Sequence, residues 1–317
     1  MLNQAPGYND ILSAAERIQP FVHRTPIVTC SAVDHRLGAS LFFKCENFQK
    51  VGAFKFRGAC NAVFALDDTR CRNGVIAHSS GNHAQALALA AKIRGIPAFI
   101  VMPSNAPEVK KAAVAEYGAR ITFCEPTLEA RELTQARIIS ETGAVEIHPY
   151  DNYEVIAGQA TAALELLNER PDIDIIVAPV GGGGLLAGTA LSAHFHNRRV
   201  EVFGAEPANA DDAQRSLLAG RIIPSDNPKT IADGLLTSLG SRNFPILQRH
   251  LKSIVLASEA SIVDYMRFFW ERSKMVIEPS AATALAAIAE NKQLFSGRKI
   301  GVILSGGNVD LSRLPWI

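Results

Sequence analysis

The chain has 317 residues, a length that as a soft prior holds about two domains, and 48% hydrophobic against 20% charged residues exclude a disordered chain. A formal net charge of +1, with both signs mixed along the sequence, argues against a nucleic-acid or anionic-membrane surface. Five cysteines, odd in number and without a C-x-x-C pair, speak against a disulfide framework or zinc knuckle and for a reducing, cytoplasmic compartment.

The N-terminal stretch carries Asn9, Asp10, Glu16 and Arg17 and lacks the apolar core of a signal peptide. The first expected strand covers 41–45, and Gly52-Ala53-Phe54-Lys55-Phe56-Arg57-Gly58 follows it. A lysine among small and aromatic residues at a helix start can be desolvated, which lowers its pKa and makes the amine a nucleophile. Alone, Lys55 reads more readily as a snorkelling surface lysine. A strand at 75–78 runs into Ser79-Ser80-Gly81-Asn82-His83, and a helix is expected over 84–94. Hydroxyls, an amide and free N–H groups at a strand end suit a carboxylate or a ring hydroxyl, although the same residues also make an ordinary N-cap.

Strands at 98–102 and 120–124 alternate with helices at 108–117 and 129–142, and a further helix covers 154–168. The uncharged stretch 175–191 is long enough to imitate a membrane span, but Pro179 and four consecutive glycines divide it into strand, loop and helix. Gly181, Gly182, Gly183 and Gly184 follow the strand 174–178 and open the helix 185–196. Glycines there let several backbone N–H groups face one anion, with the helix dipole behind them. Gly182, Gly184 and Ala187 also fit a permissive G-x-G-x-x-A fingerprint, so the loop by itself leaves a dinucleotide and another phosphate ligand both open.

After the strand 200–205 comes Glu206-Pro207-Ala208-Asn209-Ala210-Asp211-Asp212, whose carboxylates and carbonyls suit a hard cation or form a solvated acidic loop. A strand at 253–256, helices at 260–272 and 281–290, and an apolar strand at 299–304 lead to Ser305-Gly306-Gly307-Asn308. A hydroxyl at that strand end can meet a ring nitrogen or simply belong to a turn. This alternation predicts α/β units on largely parallel sheets, with 74–150 able to form its own small sheet and functional loops at strand C-terminal ends.

Together and in this order, the segments from Arg24-Thr25-Pro26 to Asn308-Val309-Asp310-Leu311 resemble the serine racemase and threonine dehydratase family of fold-type II pyridoxal-phosphate (PLP) enzymes. The resemblance explains every motif above, whereas a nicotinamide-dependent oxidoreductase explains the glycine loop alone. It implies a tryptophan synthase β-like α/β fold of two domains, each an open, mostly parallel twisted sheet flanked by helices. The large PLP-binding domain would comprise 1–72 and 152–317 and the small one 73–151, with the cofactor between them.

Residue by residue, the resemblance makes Lys55 the Schiff-base lysine with Phe54 beside the ring, and Asn82 the partner of the ring hydroxyl. Gly181 to Gly184 would hold the phosphate and Ser305 the pyridine nitrogen, a neutral partner that disfavours transamination. Ser79, Ser80, Gly81, Asn82 and His83 would meet the substrate carboxylate, and Arg131 would also reach toward substrate. Glu206, the Ala210 carbonyl and Asp212 match a divalent-cation site (Mg²⁺, Mn²⁺ or Ca²⁺) of the serine racemase branch.

Ala53 departs from the usual serine, and Ser80 stands where many threonine dehydratases have alanine. A hydroxyl at 80, opposite Lys55, is what racemases use on the second face. No regulatory domain is expected after Asp310, and a homodimer is implied. The expected reaction is loss of water, then ammonia, from a β-hydroxy amino acid, foremost L-threonine or L-serine. The alternatives are 3-hydroxyaspartate dehydration and serine racemisation with side elimination.

Overall fold

Two sheets organise the chain, and the apolar runs of the sequence are their strands. The structure, a computed structural model, describes residues 2–79, 81–106 and 108–316. The strands are β1 (Ile27–Val28), β2 (Ser40–Cys45), β3 (Val75–His78), β4 (Ala98–Pro103), β5 (Arg120–Cys124), β6 (Val145–Glu146), β7 (Ile175–Pro179), β8 (Glu201–Pro207), β9 (Ser253–Ala257) and β10 (Lys299–Leu304). Six form one sheet in the order β1-β2-β10-β7-β8-β9, and four form the other as β5-β4-β3-β6. Every pairing between these strands is parallel except β1 with β2. The smaller sheet draws only on the chain between Val75 and Glu146.

The larger sheet is covered on both faces, which explains why its strands read as continuous apolar runs rather than alternating ones. Leu41, Phe43, Val177 and Val302 pack on one face against the helix Pro279–Glu290. Phe42, Ile176 and Ile303 face the helices Tyr153–Glu169 and Gly184–His196 on the other. The strands expected from the sequence are all present. The two-residue strands β1 and β6 and the helix Tyr8–Ile18 are additions, and strands that short leave no periodicity to detect. Among the described residues no helix is long and apolar enough to cross a membrane.

One buried charge cluster braces the region that carries the lysine motif. Arg57, fully buried, donates to both oxygens of Glu46 at 2.7 and 2.9 Å and to both of Glu165 at 2.7 and 2.8 Å. Lys44, also fully buried, completes the balance with Glu165 at 2.5 Å and the Thr25 carbonyl at 2.7 Å. Two cations meet two carboxylates, the arrangement that makes buried charge tolerable. The cluster pins the helix Lys55–Phe64 to the end of β2 and to the helix Tyr153–Glu169.

Candidate active site

Parallel strands carry their loops to one edge, and the motifs of the sequence meet there. The loops after β7 and β10 leave the larger sheet at neighbouring positions, because β7 and β10 pair directly. The lysine segment is stitched to the second of these loops. Ala53 and Gly306 form an isolated antiparallel bridge, the Phe54 N–H donates to the Ser305 carbonyl at 2.9 Å, and the Gly307 N–H to the Gly52 carbonyl at 2.9 Å. Ala53, the departure from the usual serine, is fully buried in this bridge.

Lys55 opens its helix with the amine turned to the opposite wall. Its Nζ donates to the Pro149 carbonyl at 2.8 Å and lies 5.2 Å from the Phe54 ring centroid and 5.9 Å from that of Tyr150. Loss of solvation lowers the lysine pKa to about 8, against the opposing pull of the Glu278 carboxylate. A sizeable neutral fraction near neutral pH follows, as a proton-abstracting amine requires.

The glycine loop is shaped by what crowds it. Gly183 is the N-cap of the helix Gly184–His196 at φ 94°, a left-handed conformation that glycine adopts without strain, and no side chain caps this end. A Cβ on Gly182 would lie 2.3 Å from the Tyr150 ring. The loop thus offers an uncapped helix start, backbone N–H groups and a lysine across the cleft, a donor set that fits a phosphate-bearing cofactor with a carbonyl.

Asn82 and His83 begin the helix Asn82–Arg94 directly after the β3 loop. The Asn82 amide donates to the Glu278 carboxylate at 3.1 and 3.2 Å and accepts from Asn308 Nδ2 at 2.9 Å. The His83 imidazole is turned into the fold, its Nε2–H on the Ile147 carbonyl at 2.8 Å. Burial, with the Lys55 charge second, lowers its pKa to about 3, so the ring stays neutral, and its Nδ1 is buried without a partner. The Gly81 N–H donates to Ser79 Oγ at 3.3 Å. Ser305 is buried at its strand end, and Ser80 lies outside the described residues.

Arg131 occupies the first turn of the helix Leu128–Thr142, its Nε–H on the Thr127 carbonyl at 3.2 Å. Among the described residues it has no ion pair. It stands close to the end of β3, where burial first and the Arg131 charge second lower the His78 pKa. His148 lies beside His78, with ring centroids 6.4 Å apart, and its Nδ1 accepts the Asp151 N–H at 2.9 Å.

Glu206 is the penultimate residue of β8, farther along the same sheet edge. Its carboxylate accepts the Ala213 and Gln214 N–H groups at 2.8 and 2.9 Å, and Asp212 Oδ2 is buried with no partner. Burial pushes Glu206 up to about 8 and Asp212 up to about 6. Ala210 lies between them, buried at the end of a short 3₁₀ turn. Among the described residues no group of three or more His, Cys, Asp or Glu side chains forms a metal cluster, so any ion here would need carbonyl and water ligands as well.

Several contributors escaped sequence reasoning. Pro149, Tyr150 and His148 come from an unremarkable loop, and Glu278 reads only as the residue before a helix-starting proline. Nothing in their local pattern announces a site.

The family model described as pyridoxal-phosphate dependent enzyme matches residues 18–306. The β-hydroxyaspartate dehydratase of Paracoccus denitrificans is 50% identical over 311 residues, covering 98% of this chain and 99% of that protein. The L-threo-3-hydroxyaspartate ammonia-lyase of Saccharomyces cerevisiae is 47% identical, over 97% of this chain and 95% of that one. The crystal structure of serine racemase from Dictyostelium discoideum superposes with a TM-score of 0.93 at 49% identity, over 96% of this chain and 99% of that chain. The lysine and the glycine-lined helix start, both against Tyr150 and carried on two largely parallel sheets, are thus the architecture of a known group, and the chain belongs to the pyridoxal-phosphate-dependent enzyme family.

Proposed function

We propose that this enzyme eliminates water from 3-hydroxyaspartate and releases oxaloacetate and ammonia. The observation that carries the choice of substrate is Arg131, a guanidinium without an ion pair among the described residues, whose charge acts on His78 at the end of β3. An arginine so placed suits a second carboxylate by a bidentate, charge-assisted contact. L-Threonine and L-serine, foremost on the sequence alone, offer it no such group. Relatives named for hydroxyaspartate, at 50% and 47% identity, support the same reading.

Pyridoxal phosphate supplies the electron sink for the charge left at Cα. The residues of this chain do the rest. Gly181 to Gly184 bind the phosphate, Asn82 the ring hydroxyl and Ser305 the ring nitrogen, with Phe54 against the ring. Lys55 would hold the cofactor through its amine and, as the free amine, would take the Cα proton. Ser79, Ser80, Gly81 and the His83 N–H receive the first carboxylate, and Arg131 the second.

The test offers L-threonine, L-serine and the separate 3-hydroxyaspartate isomers to the PLP-loaded enzyme and identifies the products by NMR. Preferential oxaloacetate formation is expected. Faster 2-oxobutanoate or pyruvate would return the assignment to threonine or serine, and D-serine from L-serine would make it a racemase. Arg131→Met is expected to raise KM for 3-hydroxyaspartate by about 10- to 100-fold, in line with a lost charge-assisted contact of about 1.5–3 kcal/mol, while changing serine turnover only slightly. An equal effect on both substrates would remove Arg131 from substrate recognition.

We infer further that Glu206, the Ala210 carbonyl and Asp212 hold a divalent cation with retained waters. The unpartnered Asp212 oxygen and the buried Glu206 carboxylate near it are the support. Mg²⁺ or Mn²⁺ at a hundred times its Kd should stabilise the protein by about 2.7 kcal/mol in thermal or urea unfolding. Asp212→Asn should abolish that increment. Identical unfolding with and without the ion would refute the site.

A further inference from the structure

Where the loop after β10 crosses the start of the helix Asn82–Arg94, two amides, a carboxylate and one strained carbonyl share a closed set of hydrogen bonds. Asn308 Nδ2 donates to the Val51 carbonyl at 2.7 Å and to Asn82 Oδ1 at 2.9 Å. The Asn308 backbone N–H donates to Glu278 Oε2 at 3.1 Å, and Asn82 Nδ2 faces both oxygens of the same carboxylate. A backbone carbonyl and an ionised carboxylate can only accept, so neither amide is free to turn over. Val51 forces Asn308 to point its NH₂ group inward. That group then faces Asn82 Oδ1, and Glu278 holds Asn82 Nδ2 from the other side.

Val51 itself is strained. It is β-branched yet sits at φ 58° and ψ 15°, a left-handed conformation that a non-glycine residue rarely adopts. Such a conformation persists only where the surroundings over-determine it. The Asn308 amide is the group that grips its carbonyl.

We propose that Asn308 is a positioning residue that locks the amide of Asn82 in one sense, so that an N–H rather than the carbonyl is presented to the cofactor ring hydroxyl. Asn82 has two amide hydrogens. One is engaged by Glu278, and the second is the one a ring oxygen takes. Without Asn308 the Asn82 amide is held by Glu278 from one side only, and Asn82 Oδ1 loses the donor that fixes the plane in which the second N–H points. This inference rests on the reading of Asn82 given above.

The test reads the visible absorption band of the PLP-loaded enzyme and its apparent Kd for PLP in the wild type, Asn82→Ala, Asn308→Ala and the double variant. Expected are a displaced band and at least tenfold weaker PLP binding in each single variant. The double variant should be no worse than Asn82→Ala alone, because Asn308 acts through Asn82. A normal band and affinity in Asn308→Ala beside a displaced band in Asn82→Ala would overturn the role of Asn308 and leave the reading of Asn82 standing. No change in Asn82→Ala would overturn both. Additive losses in the double variant would show that Asn308 acts independently, contrary to the proposal. Should Asn308→Ala fail to fold, it is read in a Val51→Gly background, where glycine accepts the left-handed conformation that the amide otherwise holds in place.

Discussion

Lys55→Ala is expected to lower keto-acid release by at least about 10³-fold, with the fold and the glycine loop intact. The argument is geometric before it is chemical. The amine opens the helix Lys55–Phe64, is held at 2.8 Å by the Pro149 carbonyl and lies between the rings of Phe54 and Tyr150. Those walls strip it of water and bring its pKa to about 8. Below that pH the amine is increasingly protonated and cannot accept a proton. Turnover of the wild type should therefore rise with pH, reach half its maximum near 8 and level about one unit above it. Lys55→Arg keeps the charge but cannot deprotonate, and it should be as inactive as the alanine variant. Both variants should unfold within about 1 kcal/mol of the wild type when compared without PLP, since neither removes a buried ion pair. Wild-type turnover in Lys55→Ala, measured by oxaloacetate release, would sink the assignment.

The largest loss of stability is expected from Arg57→Met, about 3–5 kcal/mol by urea denaturation at fixed PLP concentration. Methionine fills much of the volume, so the cost is electrostatic. Glu46 is fully buried and loses both of its Arg57 contacts, and Glu165 keeps only Lys44. A buried carboxylate without its cation either protonates or drags water into the core, and both are costly. Replacing Glu46 as well should recover part of the loss, because an apolar pair of similar volume carries no desolvation penalty. The same cluster fixes the helix that begins at Lys55, so Arg57→Met should also weaken PLP binding. Stability close to the wild type would mean that the cluster is held by packing rather than charge.

These two residues stand two positions apart in the same motif, yet the sequence treats them differently. Lys55 was legible because its neighbours Ala53, Phe54 and Gly58 mark a tight, apolar helix start, and because the motif resembles a known one. Arg57 gave no sign of burial. An arginine at that spacing reads as solvated, and only the approach of Glu46 and Glu165, 11 and 108 residues away along the chain, makes its burial affordable. The substrate question divides the same way. The resemblance pointed to Arg131, but whether it is free for a ligand depended on which carboxylates the fold brings near it, and among the described residues none forms an ion pair with it.

By itself, then, the sequence determined the class of fold, the apolar strand runs and the glycine-lined helix start. Each rests on short-range causes: apolar runs, the conformational freedom of glycine, and side chains adjacent along the chain. Only the tertiary structure decided that the loops after β7 and β10 lie side by side, that Tyr150 covers Gly182, and that Glu278 and Asn308 close on Asn82. The reason is physical. Strand order in a parallel sheet joins residues far apart in sequence, and a hydrogen bond across 226 positions, such as that from Asn308 to Asn82, leaves no trace in the local pattern of either partner.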